Sequence, residues 1–376
     1  MKALNLLLFA AISLGGFGEA APYAANLEET LPSLEPVTGE TLPVLLPRDD
    51  KIPAFKTVSL APQATSYHFY KSSDSQTDKD PAVAAVLSKM KQDGLFTAVV
   101  MRGAKTSIVG PPEGKVRPDK FVMSQQKKGE NALVTNGGFF IVSDPLLKAD
   151  LNGPPLDPKK YRAFAVGPTS VSKNSVAVPG VYADLYEKIS GDDGSFLTSG
   201  PDLKKPVDTK IPDPKLANTK AGRLQYWVKT PDGKMVPNPA KDRNNPYLQT
   251  VFTHLPGGLC TVNEPNERNV LVYVGGGIKI AVTYNSQRSK GMRINELRTL
   301  IDQFLKSYLK KSIDDTQIAL NLDGGGSIFM GWLKDGKLSI LAAGSVSGGP
   351  KLYPQNPKGL ASGFREVPNM VKHDLV

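Results

Sequence analysis

The residues best suited to chemistry stand together in Asn321-Leu-Asp323-Gly-Gly-Gly-Ser327. Alternation places Ile318, Leu320 and Leu322 on one face of a short strand, with Ala319, Asn321 and Asp323 on the other. A strand end can hold the Asp323 carboxylate still. Gly324, Gly325 and Gly326 carry no Cβ, so they can take positive φ and let a ligand approach bare backbone. Their N–H groups could line an anion-binding nest, and Ser327 adds a hydroxyl. The same types also spell a plain Gly-rich turn with a capping aspartate. The spacing matches neither a dinucleotide-binding glycine loop nor a P-loop with its lysine, so it does not indicate a nucleotide site.

A second stretch, Asn131-Ala-Leu-Val-Thr-Asn136-Gly-Gly-Phe-Phe140, is an apolar strand that delivers an amide, two glycines and two aromatics. Asn-Gly-Gly is a turn signal, and the two phenylalanines anchor that turn in apolar surroundings. The three histidines point to less. His68 lies in an aromatic strand and reads as a packed residue. His254 ends a strand beside Pro256-Gly-Gly258 and could transfer protons near its ordinary pKa of about 6.5. Arg162 could reach a phosphate but reads first as a surface charge.

Several elements must position these groups. Ile294 to Leu309 is the clearest helix, with apolar residues recurring at i, i+3 and i+4. Glu296 falls in its first turn, where the helix dipole favours a negative charge. A shorter helix starts at Asp80-Pro81 and runs to Gly94 with Val83, Val86, Leu87 and Met90 as its apolar face. Strands are expected at Leu95–Met101, Tyr161–Gly167, Arg223–Lys229, Arg268–Gly277, Ile278–Tyr284, after Asp323 through Trp332, and at Leu338–Ala343. Residues 190 to 220 read as a long loop and a candidate lid. With 35 glycines and 31 prolines, many short strands and turns are favoured over a helical bundle. The expected fold class is α+β: a β-rich single domain of twisted, mostly antiparallel sheets with a few packed helices.

Residues 1–20 read as a signal peptide, with Lys2, an apolar Leu4–Leu14 core and small residues around Gly18-Glu-Ala20. Residues 21–66 read as a Pro-rich leader or linker, and 67–376 as the functional domain. The expected localisation is secreted, extracellular or periplasmic, with no stable membrane insertion, because the apolar run is too short to span a bilayer. Cys260 is the lone cysteine, so no intramolecular disulfide can form, and it reads as buried. The formal net charge of +10 is spread in small clusters such as Lys127-Lys128 and Lys310-Lys311. Without a long basic run interleaved with aromatics, nucleic acid is not the expected partner, whereas a basic field favours anionic substrates.

The segments Asn321-Leu-Asp-Gly-Gly-Gly-Ser327 and Asn136-Gly-Gly-Phe-Phe140 resemble the signature of the phosphodiester glycosidase family, in the family's order. The resemblance runs from about Asn131 to Lys372. It implies a secreted hydrolase that cleaves a sugar-phosphodiester linkage. Asp323 would be the central catalytic carboxylate and Glu296, at the matching point of the helix, its partner, since glycoside cleavage commonly uses two carboxylates. Asn136 would contact substrate or the reacting carboxylate, while Gly137 and Gly138 would permit close backbone approach. Arg268 would clamp the phosphate, although Asn269 replaces the threonine that follows it in the family. Arg365, in Phe364-Arg-Glu-Val-Pro-Asn369-Met370, would be a second phosphate contact. Gly324, Gly325, Gly326 and Ser327 would shape the pocket. The alternative is a non-catalytic secreted protein that binds a glycan or phosphoglycan on the same scaffold. P–O rather than C–O cleavage is a third reading. No Cys/His cluster points to zinc, and no cofactor is certain. Calcium or magnesium held by Asp323 and backbone carbonyls is left open, because such sites need only oxygen ligands.

Overall fold

The computed structural model describes residues 53–71, 79–140, 164–173, 175–176, 185–207, 227–229, 235–237, 265–286, 291–344 and 364–375. The strands are β1 (Phe55–Ala61), β2 (Ala64–Tyr70), β3 (Leu95–Arg102), β4 (Lys105–Val109), β5 (Asn131–Asn136), β6 (Ala165–Val166), β7 (Ser175–Val176), β8 (Glu187–Ser190) and β9 (Phe196–Ser199). They continue as β10 (Trp227–Lys229), β11 (Met235–Pro237), β12 (Arg268–Gly275), β13 (Ile278–Asn285), β14 (Ile318–Leu322), β15 (Phe329–Lys334), β16 (Lys337–Ala343) and β17 (Met370–Asp374). The helices are α1 (Pro81–Lys89), α2 (Pro118–Ser124) and α3 (Ile294–Leu309). A six-stranded antiparallel sheet runs β1-β2-β3-β13-β12-β14, and a five-stranded antiparallel sheet runs β16-β15-β5-β17-β4. The fold is α+β and β-rich.

Layering follows from side-chain alternation. β3 and β13 are apolar on both faces because both faces are covered. On the outer face, Val100, Val270, Val272 and Val282 pack with the buried stripe of α3: Leu297, Leu300, Ile301, Phe304 and Leu305. Phe304 meets Phe96 and Tyr67 edge-on at 5.6 and 5.4 Å between ring centroids. On the inner face, Val99, Met101 and Ala281 pack with Leu133, Met330 and Trp332 of the other sheet. Leu271, Leu320 and Leu322 pack likewise with Ile108 and Val371. Helix α2 covers the far side of the five-stranded sheet through Val122, against Val134, Leu333 and Ile340.

Two edges are covered by the chain itself. Along β14, Asn321 N–H donates to Pro201 O at 3.0 Å and Ala319 N–H to Asp202 Oδ1 at 2.9 Å. Along β4, Thr106 N–H donates to Asp192 Oδ2 at 2.6 Å and Ile108 N–H to Ser195 Oγ at 2.7 Å. Such capping removes open donors that would otherwise pair with another strand. The expected lid therefore divides. Its described part, to Val207, is the tail of a hairpin and a strap packed on the sandwich, with Leu197 and Leu203 fully buried.

Helix α3 lies over Ile294–Leu309 as expected, whereas α1 covers only Pro81–Lys89 and ends short of Gly94, with Met90 already extended. Strand β1 was not foreseen: it belongs to the six-stranded sheet, so the sandwich takes in residues assigned above to the leader. Its side chains are exposed or half-buried except Leu60, with no regular alternation, which leaves little apolar signal for an edge strand. Strand β4 and helix α2 were also unread, each too short to show a period. His68 is packed as expected, with Nδ1 3.3 Å from Thr97 Oγ1 and Nε2 3.1 Å from Ser66 Oγ. The expectations for residues 1–20, Arg162, His254 and Cys260 lie outside the described residues. Among the described residues, no helix is long and apolar enough to cross a membrane.

Candidate active site

The ends of β5 and β14 come from different sheets and meet at one end of the sandwich. Asp323 N–H donates to Gly137 O at 3.0 Å, and Asn136 Nδ2 donates to Asp323 O at 2.8 Å. Asn136 Oδ1 accepts from Asn269 Nδ2 at 2.9 Å and from Phe329 N–H at 3.0 Å. One buried amide therefore ties both ends of the Asp323–Phe329 segment to the Asn-Gly-Gly turn. Asn136 is fully buried, so it positions the loop rather than presenting its amide to a substrate.

The Asp323 carboxyl is half-buried, with Ser327, Gly324 and the Arg365 charge acting on it. Burial raises its pKa from 3.8 to about 6, against the opposing pull of Ser327, the Arg365 charge and Gly324. Arg365 is half-buried, and its Nη1 donates to Ser327 Oγ at 3.5 Å. Ser327 thus stands between a guanidinium and a carboxyl. A carboxyl poised near neutrality beside a cation is suited to proton transfer next to an anionic group.

The glycines mostly serve the protein's own chain. A Cβ on Gly137 would land on Asn369 Oδ1, and one on Gly324 on the Glu267 carbonyl oxygen. Gly138 faces Thr198 O in the same way. Gly325 is held at φ +58°, and Gly325, Gly326 and Ser327 form one 3-10 turn. Gly325 N–H donates to Glu267 O and Ser327 N–H to Gly324 O, so these two donors are spent inside the chain rather than in an open anion nest.

The other expected residues are placed elsewhere. Arg268 is buried, with Nε donating to Met292 O at 2.9 Å, and the cation acting on Asp323 is Arg365. Glu296 accepts from Lys91 Nζ at 2.6 Å and from Arg293 N–H at 2.9 Å, closing the N-terminus of α3. Burial opposes its charge, yet these partners hold its pKa below the ordinary value. Glu296 is thus engaged at the start of α3 by Lys91 and the Arg293 N–H. Asn369 was overlooked. Its Oδ1 accepts from Gly138 N–H at 2.8 Å and its carbonyl from Gly137 N–H at 3.0 Å. Only its place just before β17 marks it in sequence. Asn269, noted as a departure, is the partner of Asn136.

Among the described residues, no group of three or more His, Cys, Asp or Glu side chains gathers as metal ligands. At Asp323 the donor set does not fit calcium or magnesium: a single carboxyl lies under the charge of a guanidinium.

The fold and site together define an α+β two-sheet sandwich with a carboxyl-bearing glycine loop at one end. No protein-family model and no curated protein matches the chain. Among solved structures, the chain is similar to the catalytic domain of zebrafish N-acetylglucosamine-1-phosphodiester alpha-N-acetylglucosaminidase auto-inhibited by pro-peptide. That match has 14% identity and a TM-score of 0.35, and covers 89% of this chain and 93% of that one. A Burkholderia pseudomallei protein described as exported matches at 12% identity and TM-score 0.38, over 85% of this chain and 96% of that one. A hypothetical protein from Synechocystis matches at 12% identity and TM-score 0.35. There the match covers 85% of this chain but spans only 64% of the other.

Proposed function

We propose that this chain is an exported glycosidase that hydrolyses a sugar-phosphodiester linkage, with Asp323 as its central catalytic carboxyl. The observation that carries the reading is the Arg365–Ser327–Asp323 arrangement, with the Asp323 pKa raised to about 6. The likeness of its two glycine motifs to those of phosphodiester glycosidases supports the substrate class. Arg365 binds a phosphate oxygen. Asp323 takes a proton from water as the water oxygen bonds to the anomeric carbon. The bond from that carbon to the phosphate oxygen breaks, and the phosphate departs with the electron pair. Phosphate is a good leaving group, so the step does not need a strong acid opposite Asp323. Glu296 anchors α3 and Lys91 in this scheme, and Arg268 supports the loop bearing Met292. Residues 1–20 direct export and are removed.

A panel of sugar phosphodiesters, including a UDP-sugar and an N-acetylglucosamine phosphodiester, tests the reading with wild type and Asp323→Asn side by side. Sugar release by wild type alone is the expected result. Runs in oxygen-18 water locate the cleaved bond: label in the sugar means C–O cleavage, and label in the phosphate means P–O cleavage.

The engagement of Glu296 by Lys91 and the Arg293 N–H favours a second reading, a glycan- or phosphoglycan-binding protein, because glycoside hydrolysis ordinarily uses two carboxyls. Saturable glycan binding with no turnover by wild type or Asp323→Asn would select it.

A further inference from the structure

Asn266 stands beside the glycine loop, with its Oδ1 3.6 Å from where a Cβ on Gly325 would be. The same oxygen accepts from Glu267 N–H at 2.9 Å. That bond fixes the amide: its oxygen is spent inside the chain, and its NH2 is left as a donor. The backbone is held as firmly. Asn266 N–H donates to Met292 O at 3.3 Å, and Met292 N–H donates to Asn266 O at 2.9 Å. Gly291 packs directly on this backbone, where a Cβ would come within 2.3 Å of the Asn266 carbonyl. A half-exposed amide is therefore held at the Gly325 end of the 3-10 turn, while Arg365 reaches the Ser327 end.

The turn itself keeps one donor open. Gly325 N–H is spent on Glu267 O, Ser327 N–H on Gly324 O and Ile328 N–H on Gly325 O. Gly326 is half-exposed, and among the described residues neither its N–H nor Asn266 Nδ2 meets an acceptor. Two neutral donors and one guanidinium thus flank the turn. A sugar hydroxyl there would also ask for an acceptor, and Asn266 Oδ1 is already taken. A phosphoryl group accepts only, and it carries the negative charge that a guanidinium favours.

We propose that Asn266 is a further substrate-binding residue of the Asp323 site: its Nδ2, with the Gly326 N–H, holds the phosphoryl oxygen that Arg365 leaves open. The assignment rests on the reading of this site as one for a sugar phosphodiester. It makes the grip on phosphate two-sided, with a charged group at Ser327 and neutral amides at Gly325 and Gly326.

Steady-state hydrolysis of the sugar phosphodiesters and titration calorimetry with inorganic phosphate test it on the full chain. Asn266→Asp keeps an oxygen for Glu267 N–H but exchanges the donor for a negative charge, so the fold should hold, checked by far-UV circular dichroism. Asn266→Ala removes the side-chain amide altogether. In Asn266→Asp, KM should rise and phosphate affinity fall by about tenfold or more, as for a lost hydrogen bond to a charged group, with a smaller change in kcat. Asn266→Ala should move both in the same direction by less. Unchanged KM and phosphate affinity in Asn266→Asp, while Arg365→Ala weakens both, overturns the proposal and leaves the glycosidase reading standing. A fall in kcat alone also overturns it, because Asn266 would then act through the loop. Phosphate binding that weakens in Asn266→Asp without any hydrolysis by wild type keeps Asn266 in the site and overturns the glycosidase reading. Wild type that neither hydrolyses nor binds phosphate below about 10 mM overturns both.

Discussion

The side-chain amide of Asn136 donates to the backbone carbonyl of Asp323 at 2.8 Å, joining two residues that lie 187 positions apart in the chain. With its oxygen accepting from Phe329 N–H, the same amide brackets the glycine loop. The candidate catalytic carboxyl is thus held by a neighbour that does not touch the chemistry.

Asn136→Ala should destabilise the protein by roughly 2–4 kcal/mol, because it leaves the Phe329 N–H and the Asn269 amide buried without their acceptor. Urea denaturation midpoints measure this. In the folded fraction, turnover should fall while glycan or phosphate binding through Arg365 persists. Loss of binding equal to loss of turnover would argue that Asn136 meets the substrate itself.

Asp323→Asn should abolish hydrolysis yet stabilise the fold above pH 6. A carboxyl whose folded pKa is raised from 3.8 to about 6 costs stability that accrues as pH rises between those two values and levels off above them. The variant's advantage should be absent below pH 4 and grow through pH 6, reaching no more than about 3 kcal/mol. Thermal melts at pH 4, 6 and 8 follow it. Wild-type turnover, with Asp323 acting as base, should rise with pH through about 6.

Two buried histidines should make the fold acid-sensitive. Burial, helped by the Lys56 charge, lowers His68 to about 4. Burial and the Lys279 charge lower His373 to about 3. Both favour the neutral ring, so the stability they permit is fully present above pH 6.5 and is lost as pH falls through 4 and 3. His68→Gln and His373→Gln should each flatten the fall in melting temperature below pH 6.5. A fall of unchanged steepness in the double variant would place acid sensitivity elsewhere.

Asp192→Ala should cost about 1 kcal/mol at pH 7, because it uncovers the Thr106 N–H on the edge of β4 and releases Lys279. The Thr106 N–H and Lys279 hold Asp192 below the ordinary carboxylate range. Its contribution is therefore present above pH 4 and lost as acid protonates it, and the gap between variant and wild type should close near pH 2. Light scattering should also show more concentration-dependent association of the variant, as expected for an opened edge.

Much of the fold was legible because burial writes a period into the chain. α3 was readable because one stripe faces the six-stranded sheet, and β3, β12 and β13 because strands covered on both sides need apolar residues throughout. β1, β4 and α2 were not, since edge strands and short helices bury too few residues to show a pattern. By itself the sequence determined that Asp323 ends a strand beside three glycines and a serine, and that an Asn-Gly-Gly turn lies elsewhere. Only the tertiary structure decided that these two turns clasp each other and that Arg365, not Arg268, acts on Asp323. It also decided that Glu296 caps a helix and that Asn369 fills the space beside Gly137. Local pattern reports which face of an element is buried. It carries no information on which distant backbone will occupy the space a missing Cβ leaves, because that depends on how two sheets stack.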